Sequence, residues 1–460
     1  MSLAELGDAV GGRLIGGADP DTMVDGPVVI DSRAAQAGGV FFAVPGERVD
    51  GHDFADDARA AGSAAVVGRE TGGPEVHVED PVAALGRLGR AVADRLEHVL
   101  VVGVTGSSGK TSTKDLLAQV LESAGPTVAP IASLNNELGV PLTVCRADTG
   151  TRFLVVEMGA RGPGHIRYLC EIAPPSVAVV LNVGAAHAGE FGGKEATAQS
   201  KGELVEALAP DGLAVLNADD PLVAAMSSRT AAPVVRFGRA PDADVRAEDV
   251  VLDDDGRAAF RLVTPAGTAD VRLGVVGEHQ VSNALAAAAV GLAAGLGVDA
   301  VALALSSAVA RSRWRMEVTE RADGVTVVND AYNANPDSVA AALRSLARLA
   351  STRSGRSWAV LGEMRELGAD AAAEHAAAGK LAADLGIDRV VAVSAAAAEV
   401  ATAAQSAREW SESPVMVTDA AGALALLAEQ VRPGDVVLVK ASRLAALETV
   451  AAGLLEVVTA

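Results

Sequence analysis

Residues 98–116 read HVLVVGVTGSSGKTSTKDL: an apolar strand, a glycine-serine loop, then Lys110-Thr111 opening a helical pattern. Strand, tight loop and helix start together build a cradle for phosphate. The unpaired N–H groups at the helix start point at an anion, and the helix dipole favours negative charge there. Gly106 and Gly109 let the backbone bend close to that anion. Lys110 has the reach for terminal phosphates, and the Thr111 hydroxyl suits Mg²⁺. With Thr105, Ser107 and Ser108 the loop spans residues 105–111, the expected seat of a nucleoside triphosphate. The strict G-x-x-x-x-G-K-[ST] spacing is not met, because Val104 stands where it asks for glycine and the glycines fall at 103, 106 and 109.

A chain of 460 residues is long enough for about three domains. Half of it is hydrophobic but only 3 % aromatic, which predicts an α/β protein with cores of Val, Leu and Ala. No apolar run approaches the roughly 20 residues of a membrane span, and the start MSLAELGDAV lacks a basic segment and an apolar core. No membrane insertion is expected. Cys145 and Cys170 form neither a disulfide framework nor a metal spacing, so both are expected to be packing residues in a reducing cytoplasm. The net charge of −21, with no basic stripe, argues against nucleic acid as a partner. Anionic substrates would need positive charge gathered locally in clefts.

The pattern divides into three. Residues 1–95 carry short strand candidates at Val28–Ile30, Val40–Val44 and Ala64–Val67 and read as a small α/β domain. Residues 96–310 hold the phosphate loop and strands at Phe153–Glu157, Val177–Asn182 and Leu213–Asn217, alternating with helical stretches. That alternation predicts a parallel sheet covered by helices. Residues 311–460 repeat it, with strands at Val325–Asn329, Trp358–Leu361, Val390–Ser394, Val415–Thr418 and Val436–Val439, which predicts a doubly wound, Rossmann-like unit.

Several polar residues fall where such sheets present their ligand edge. Glu157 ends the strand RFLVVE, and a carboxylate there suits a hard cation that also touches phosphate; the plainer reading is an acid capping the next turn. His187, in the small-residue loop LNVGAAHAGEFGG, is a candidate second-metal ligand or merely an exposed loop histidine. Lys201 in AQSKGEL reads first as a solvated helix lysine. Asn135 and Asn136 precede a Gly-x-Pro turn that turn chemistry alone could explain. Asn283 is a helix cap or a base-reading amide. Arg313 and Arg315 sit at the second junction, where a phosphate clamp could form on closure or a linker could simply be solvated. NDAYNANPDS (329–338) concentrates Asp330, Tyr332, Asn333 and Asn335 in one loop, and Lys440, Ser442 and Arg443 follow the last strand.

The order of these motifs resembles the Mur ligases over nearly the whole chain: TGSSGKTSTK, LNNELGVP, VVEMGA, NVGAAHAGEFG, SKGEL, HQVSNALAA, WRMEV, NDAYNANPDS, LGEMRELG and VKASR, with DSR (31–33) and FFAVPGERVDGHDF (41–54) before them. The resemblance implies an ATP-dependent amide ligase, monomeric, that joins UDP-N-acetylmuramoyl-tripeptide to D-alanyl-D-alanine through an acyl phosphate. Ser32 and Arg33 would then lie in a uridine-nucleotide-binding domain. Thr105–Thr111, Asn283, Arg315 and Asp330 would hold ATP. Thr111 and Glu157 would share one Mg²⁺ and His187 a second. Lys110, His187 and Lys201 would serve catalysis, with Lys201 carbamylated so that an anion rather than an ammonium faces the metals. Asn135, Asn136, Tyr332, Asn333, Asn335 and Lys440 would line the substrates' path. The 329–338 loop differs from the D-Y-A-H and D-N-P-R strings of relatives that add a diamino acid. One departure stands out: Trp314 occupies the glycine position before Arg315, and Trp tolerates less backbone space than Gly. A nucleotide-binding subunit without ligase activity is the contrasting reading; Lys110, Glu157, His187 and Lys201 are all retained, which favours the ligase.

Overall fold

The computed structural model describes residues 1–46, 49–184 and 193–456; His187 lies outside them. Three β-sheets follow one another along the chain. The first orders its strands β1-β5-β4-β3-β2, from β1 (Arg13–Ile15), β2 (Val28–Val29), β3 (Val40–Phe42), β4 (Ala65–Gly68) and β5 (Glu75–His77). It is parallel except at β1. Helix Pro81–Ala93 covers this sheet and leads out of it, starting on an Asp80 cap that accepts from the Val82 and Ala83 N–H groups. Gly86 and Gly89 let that helix sit hard against the next unit: a Cβ there would lie 2.7 Å from the Tyr168 hydroxyl and from Pro141, respectively.

The central sheet runs β14-β13-β12-β11-β10-β9-β6-β8-β7. Its parallel half is β6 (Leu100–Thr105), β7 (Thr127–Val128), β8 (Phe153–Glu157), β9 (Val177–Val180), β10 (Leu213–Asn217) and β11 (Val234–Gly238). The chain leaves β6 to one side for β7 and β8 and returns on the other for β9, so the phosphate loop after β6 opens at the point where the strand order reverses, where open α/β sheets bind ligands. The expectation of a purely parallel sheet is corrected beyond β11. Strands β12 (Val245–Leu252), β13 (Arg257–Thr264) and β14 (Gly267–Val276) form an antiparallel meander. Alternation explains it: in RAAFRLVT every second residue is buried, the pattern of a sheet with one face on the core and one in water. Under this sheet, helices Lys110–Glu122 and Gln280–Ala293 pack together in a Val, Leu and Ala core. Gly291 permits their approach, since a Cβ would fall 2.6 Å from Val120 Cγ1.

The third sheet runs β15-β16-β20-β17-β18-β19, from β15 (Glu317–Glu320), β16 (Thr326–Asn329), β17 (Ser357–Leu361), β18 (Arg389–Val393), β19 (Val415–Val417) and β20 (Val436–Lys440). All but the antiparallel edge strand β15 are parallel. The last strand inserts between β16 and β17, so the loops after β16, β17 and β20 emerge side by side. Among the described residues no helix is long and apolar enough to cross a membrane.

Candidate active site

The phosphate loop is bent by Gly109, whose φ of 79° is left-handed and which stands as the cap of helix Lys110–Glu122. The rest of the loop is held from the neighbouring strand. The Ser107 and Ser108 N–H groups donate to the Asn182 main-chain and side-chain oxygens (3.1 and 2.9 Å), and the Gly184 N–H donates to Ser107 Oγ (2.9 Å). Lys110 folds back so that Nζ donates to the Gly106 carbonyl at 2.7 Å. Burial pushes the Lys110 pKa down, while Glu157 opposes that shift.

At the end of β8, Glu157 is only 1 % exposed, yet both of its oxygens are served. Thr111 Oγ1 donates to one (2.9 Å) and Asn135 Nδ2 to the other (2.8 Å). Ser133 Oγ lies 2.6 Å from Thr111 Oγ1 and accepts from Arg315 Nη2 at 2.7 Å. With Thr111 donating to the carboxylate, a consistent chain of donors runs from Arg315 through two hydroxyls to Glu157. A hydroxyl and a carboxylate oxygen side by side at a phosphate loop are the donor set a magnesium ion takes together with triphosphate oxygens, so these residues fit the metal.

The third sheet supplies the opposite wall. Lys440 Nζ, 2 % exposed, donates to Asp330 Oδ2 (2.6 Å) and to the Asn333 carbonyl (2.9 Å). The other Asp330 oxygen accepts from the Met316 N–H at 3.1 Å. Arg315 lies over the Tyr332 ring, 4.2 Å from its centroid. Asn335 caps helix Pro336–Ser351 through Oδ1 and donates from Nδ2 to the Ser107 carbonyl at 3.3 Å. The two walls enclose a cavity of about 390 Å³. Among the sequence-expected residues, Ser107, Ser108, Gly109, Lys110, Thr111, Asn135, Glu157, Asn283, Arg315, Asp330, Tyr332, Asn333, Asn335 and Lys440 line it.

Others are placed differently. Asn283 lies three residues inside helix Gln280–Ala293 rather than at its cap; its amide accepts from Thr113 (3.1 Å) and donates to Gln280 (2.8 Å), beside Gly109. The Asn136 side chain accepts from the Leu138 and Gly139 N–H groups, so it serves the turn before helix Gly139–Val144. Ser32 and Arg33 sit in a short 3₁₀ turn of the first unit, where Arg33 pairs with Asp31 in solvent. Thr105 ends β6, fully buried, and Gly106 follows it; neither lines the cavity. The solvated reading of Lys201 is corrected: it sits mid-helix in Lys194–Glu206 and is 2 % exposed. Burial first and Lys110 second hold its pKa well below the usual lysine value. Among the described residues no hydrogen bond or ion pair engages its amine. Sequence reasoning missed Ser133, Asn182 and Gln280. Only their positions after or near the ends of strands and helices could have signalled them.

Three family models match the chain: "Mur ligase family, catalytic domain" over residues 27–97, "Mur ligase middle domain" over 104–291 and "Mur ligase, glutamate ligase domain" over 314–443. The UDP-N-acetylmuramoyl-tripeptide–D-alanyl-D-alanine ligase of Mycobacterium tuberculosis is 48 % identical over 495 aligned residues, covering 98 % of this chain and 97 % of that one. The Escherichia coli protein of the same name is 35 % identical, with 99 % and 98 % covered. Among solved structures, MurF from Acinetobacter baumannii superposes with a TM-score of 0.87 at 32 % identity, covering 99 % of this chain and 98 % of that one. MurF ligase from Thermotoga maritima, solved in complex with ADP, gives 0.79 at 31 % identity, covering 95 % and 98 %. On its matched domains, its full-length relatives and the site that joins them, the chain belongs to the Mur ligase family.

Proposed function

We propose that this chain is the ATP-dependent ligase that joins D-alanyl-D-alanine to UDP-N-acetylmuramoyl-tripeptide, releasing ADP and phosphate and giving the pentapeptide precursor of peptidoglycan. The observation that carries it is the convergence of the phosphate loop and the 329–338 loop on one cavity, in a chain whose full-length relatives bear that ligase's name. Residues 1–95 are assigned to the donor's nucleotide end, 96–310 to ATP and 311–460 to the acceptor. A monomer working in the cytoplasm fits this reading, with both cysteines free.

A carboxylate is a poor electrophile, so the donor's terminal carboxylate oxygen first attacks the γ-phosphorus and the bond to the β–γ bridging oxygen breaks. The loop N–H groups and Lys110 take up charge on the phosphate oxygens during that transfer. The dipeptide amine then attacks the acyl carbon, and the tetrahedral intermediate collapses with loss of phosphate. Closure of the walls bearing Ser107 and Asn335 keeps water from the acyl phosphate. Thr111 and Glu157 are the residues assigned to Mg²⁺, which when bound neutralises phosphate charge; a second ion at His187 belongs to the same proposal. Lys201 is assigned as a carbamate. Its support is chemical: CO₂ adds to a neutral amine, and burial favours the neutral amine.

The test uses donor labelled with ¹⁸O in its terminal carboxylate. Transfer of one labelled oxygen into the released phosphate is expected. Phosphate free of label would contradict the acyl-phosphate route.

A further inference from the structure

Helix Lys110–Glu122 carries the phosphate loop at its start, and along its length it also grips the linker to the third unit. Gln119 and Val309 exchange two hydrogen bonds (2.9 and 3.0 Å). Arg311 forks onto both oxygens of Glu122 (2.5 and 2.6 Å). Deepest of the three contacts is the ion pair of Lys114 with Asp115, exposed by 2 % and 6 %. Lys114 Nζ also donates to the Pro130 carbonyl (2.9 Å) and to Ser312 Oγ (3.3 Å), and Asp115 Oδ2 accepts the Ser312 N–H (2.9 Å). Neighbouring residues on a helix do not face each other, so helix formation does not call for this pair. Burying two charges is costly, and what these charges hold besides each other and the Pro130 carbonyl is the linker.

Two residues further on, the chain is fastened to the other body. The Tyr332 N–H donates to the Trp314 carbonyl (3.1 Å), and the Met316 N–H donates to Asp330. Only Arg313 separates the two anchorages. Trp314 and Met316 have left-handed φ values of 60° and 49°, unusual for side chains of their size. Between them sits Arg315, whose guanidinium reaches Ser133 and thus the Thr111–Glu157 pair. A cavity of about 210 Å³, lined by Asp115, Ser312, Arg315 and Met316 among others, lies under this segment.

We propose that Lys114 and Asp115 are positioning residues for the ligase reaction: by fixing Ser312 to the phosphate-loop helix they confine the pivot of the third unit to Arg313, so that its rotation delivers Arg315 to the nucleotide. The proposal rests on the nucleotide reading of the 105–111 loop. Nucleotide binding and pivot then share one rigid helix, and Arg315 swings on a short arm instead of a loose tether.

The test replaces the pair with apolar side chains of similar volume, Lys114→Met/Asp115→Leu, so that no buried charge is left alone. ADP affinity by calorimetry is expected to stay within about threefold, while kcat falls about 10- to 100-fold, the scale of a misplaced catalytic group. Small-angle scattering should show that nucleotide and donor together no longer compact the variant as they compact the wild type. Wild-type kcat and compaction in the folded variant would overturn the proposal, as would a kcat loss fully matched by lost ADP affinity. Failure of ADP to bind the wild type would instead remove the nucleotide reading, and the proposal with it. Should the variant not fold, hydrogen exchange on the wild type decides. A Ser312 amide as slow in the free enzyme as in the ligand-saturated enzyme supports the anchorage; one exchanging like open chain in the free enzyme overturns it.

Discussion

Asn335 donates its side-chain N–H to the carbonyl of Ser107 at 3.3 Å, joining the third sheet's polar loop to the phosphate loop. The same side chain caps helix Pro336–Ser351 through its other atom. One residue therefore starts a helix and closes two walls of the site. Asn335→Ala should lower stability by about 1 kcal/mol, the usual cost of losing such a cap, and should lower kcat more than a cap alone explains. Asn335→Asp keeps the cap acceptor and loses the donor to Ser107. Denaturant melts and steady-state kinetics on both variants separate the effects: Asp should restore stability and leave kcat low.

Glu157→Gln keeps the shape but removes the charge and one of the two acceptor oxygens. If Glu157 holds Mg²⁺ with Thr111, turnover should fall about 100- to 1000-fold, the scale of losing an electrostatic stabiliser of the transition state. Nucleotide affinity measured without Mg²⁺ should change little. Chelation of divalent ions should abolish wild-type turnover, and excess Mg²⁺ should recover the wild type far better than the variant. Equal Mg²⁺ dependence in both proteins would remove Glu157 from the metal site.

Much of this site was legible because its parts sit at strand ends. Lys110, Thr111 and Glu157 follow apolar runs whose length and flanks identify buried parallel strands, and the loops after β16 and β20 obey the same rule. Less legible was whatever depends on the partner of a side chain. Asn136 and Asn283 are amides of the same kind in similar polar settings. The Gly-x-Pro turn after Asn136 leaves its turn role open to a sequence reading, whereas nothing around Asn283 reveals that it bonds Thr113 and Gln280. Lys201 follows a similar logic: a lysine in a polar helix reads as solvated until tertiary packing buries it. The β12–β14 meander escaped notice for another reason. Its alternation was legible in RAAFRLVT, but the βα rhythm upstream suggested more of the same.

Lys201→Ala should be nearly inactive if the carbamate supplies an anion to the site. Short carboxylates such as formate or acetate should restore part of the turnover by filling the vacated space. In the wild type, ¹³C-labelled bicarbonate should give a carbamate resonance that is absent from the variant. Near-normal turnover of folded Lys201→Ala would return Lys201 to a purely structural role.

Cys170 gives a prediction about stability and pH. Burial first, and Glu203 second, raise its thiol pKa to about 12 from an ordinary 9.0. Between those values the unfolded chain releases a proton that the folded chain retains, so stability falls as pH rises. The contribution is up to ~1.4 kcal/mol per pH unit. Denaturant midpoints from pH 9 to 11 should therefore fall less steeply for Cys170→Ala than for the wild type. Parallel curves would show that the thiol titrates alike in both states.

The central claim is acceptor choice at the 329–338 loop, where Asn333 and Asn335 line the cavity beside a Lys440–Asp330 pair that is already satisfied. Neutral amides suit an acceptor without a charged side chain. The direct measurement is phosphate release with UDP-muramoyl-tripeptide and ATP, offering D-alanyl-D-alanine, meso-diaminopimelate, lysine or glutamate in turn, with product masses recorded. The account predicts turnover with the dipeptide and a product heavier than the donor by D-alanyl-D-alanine less one water. Equal turnover with any of the single amino acids would contradict it.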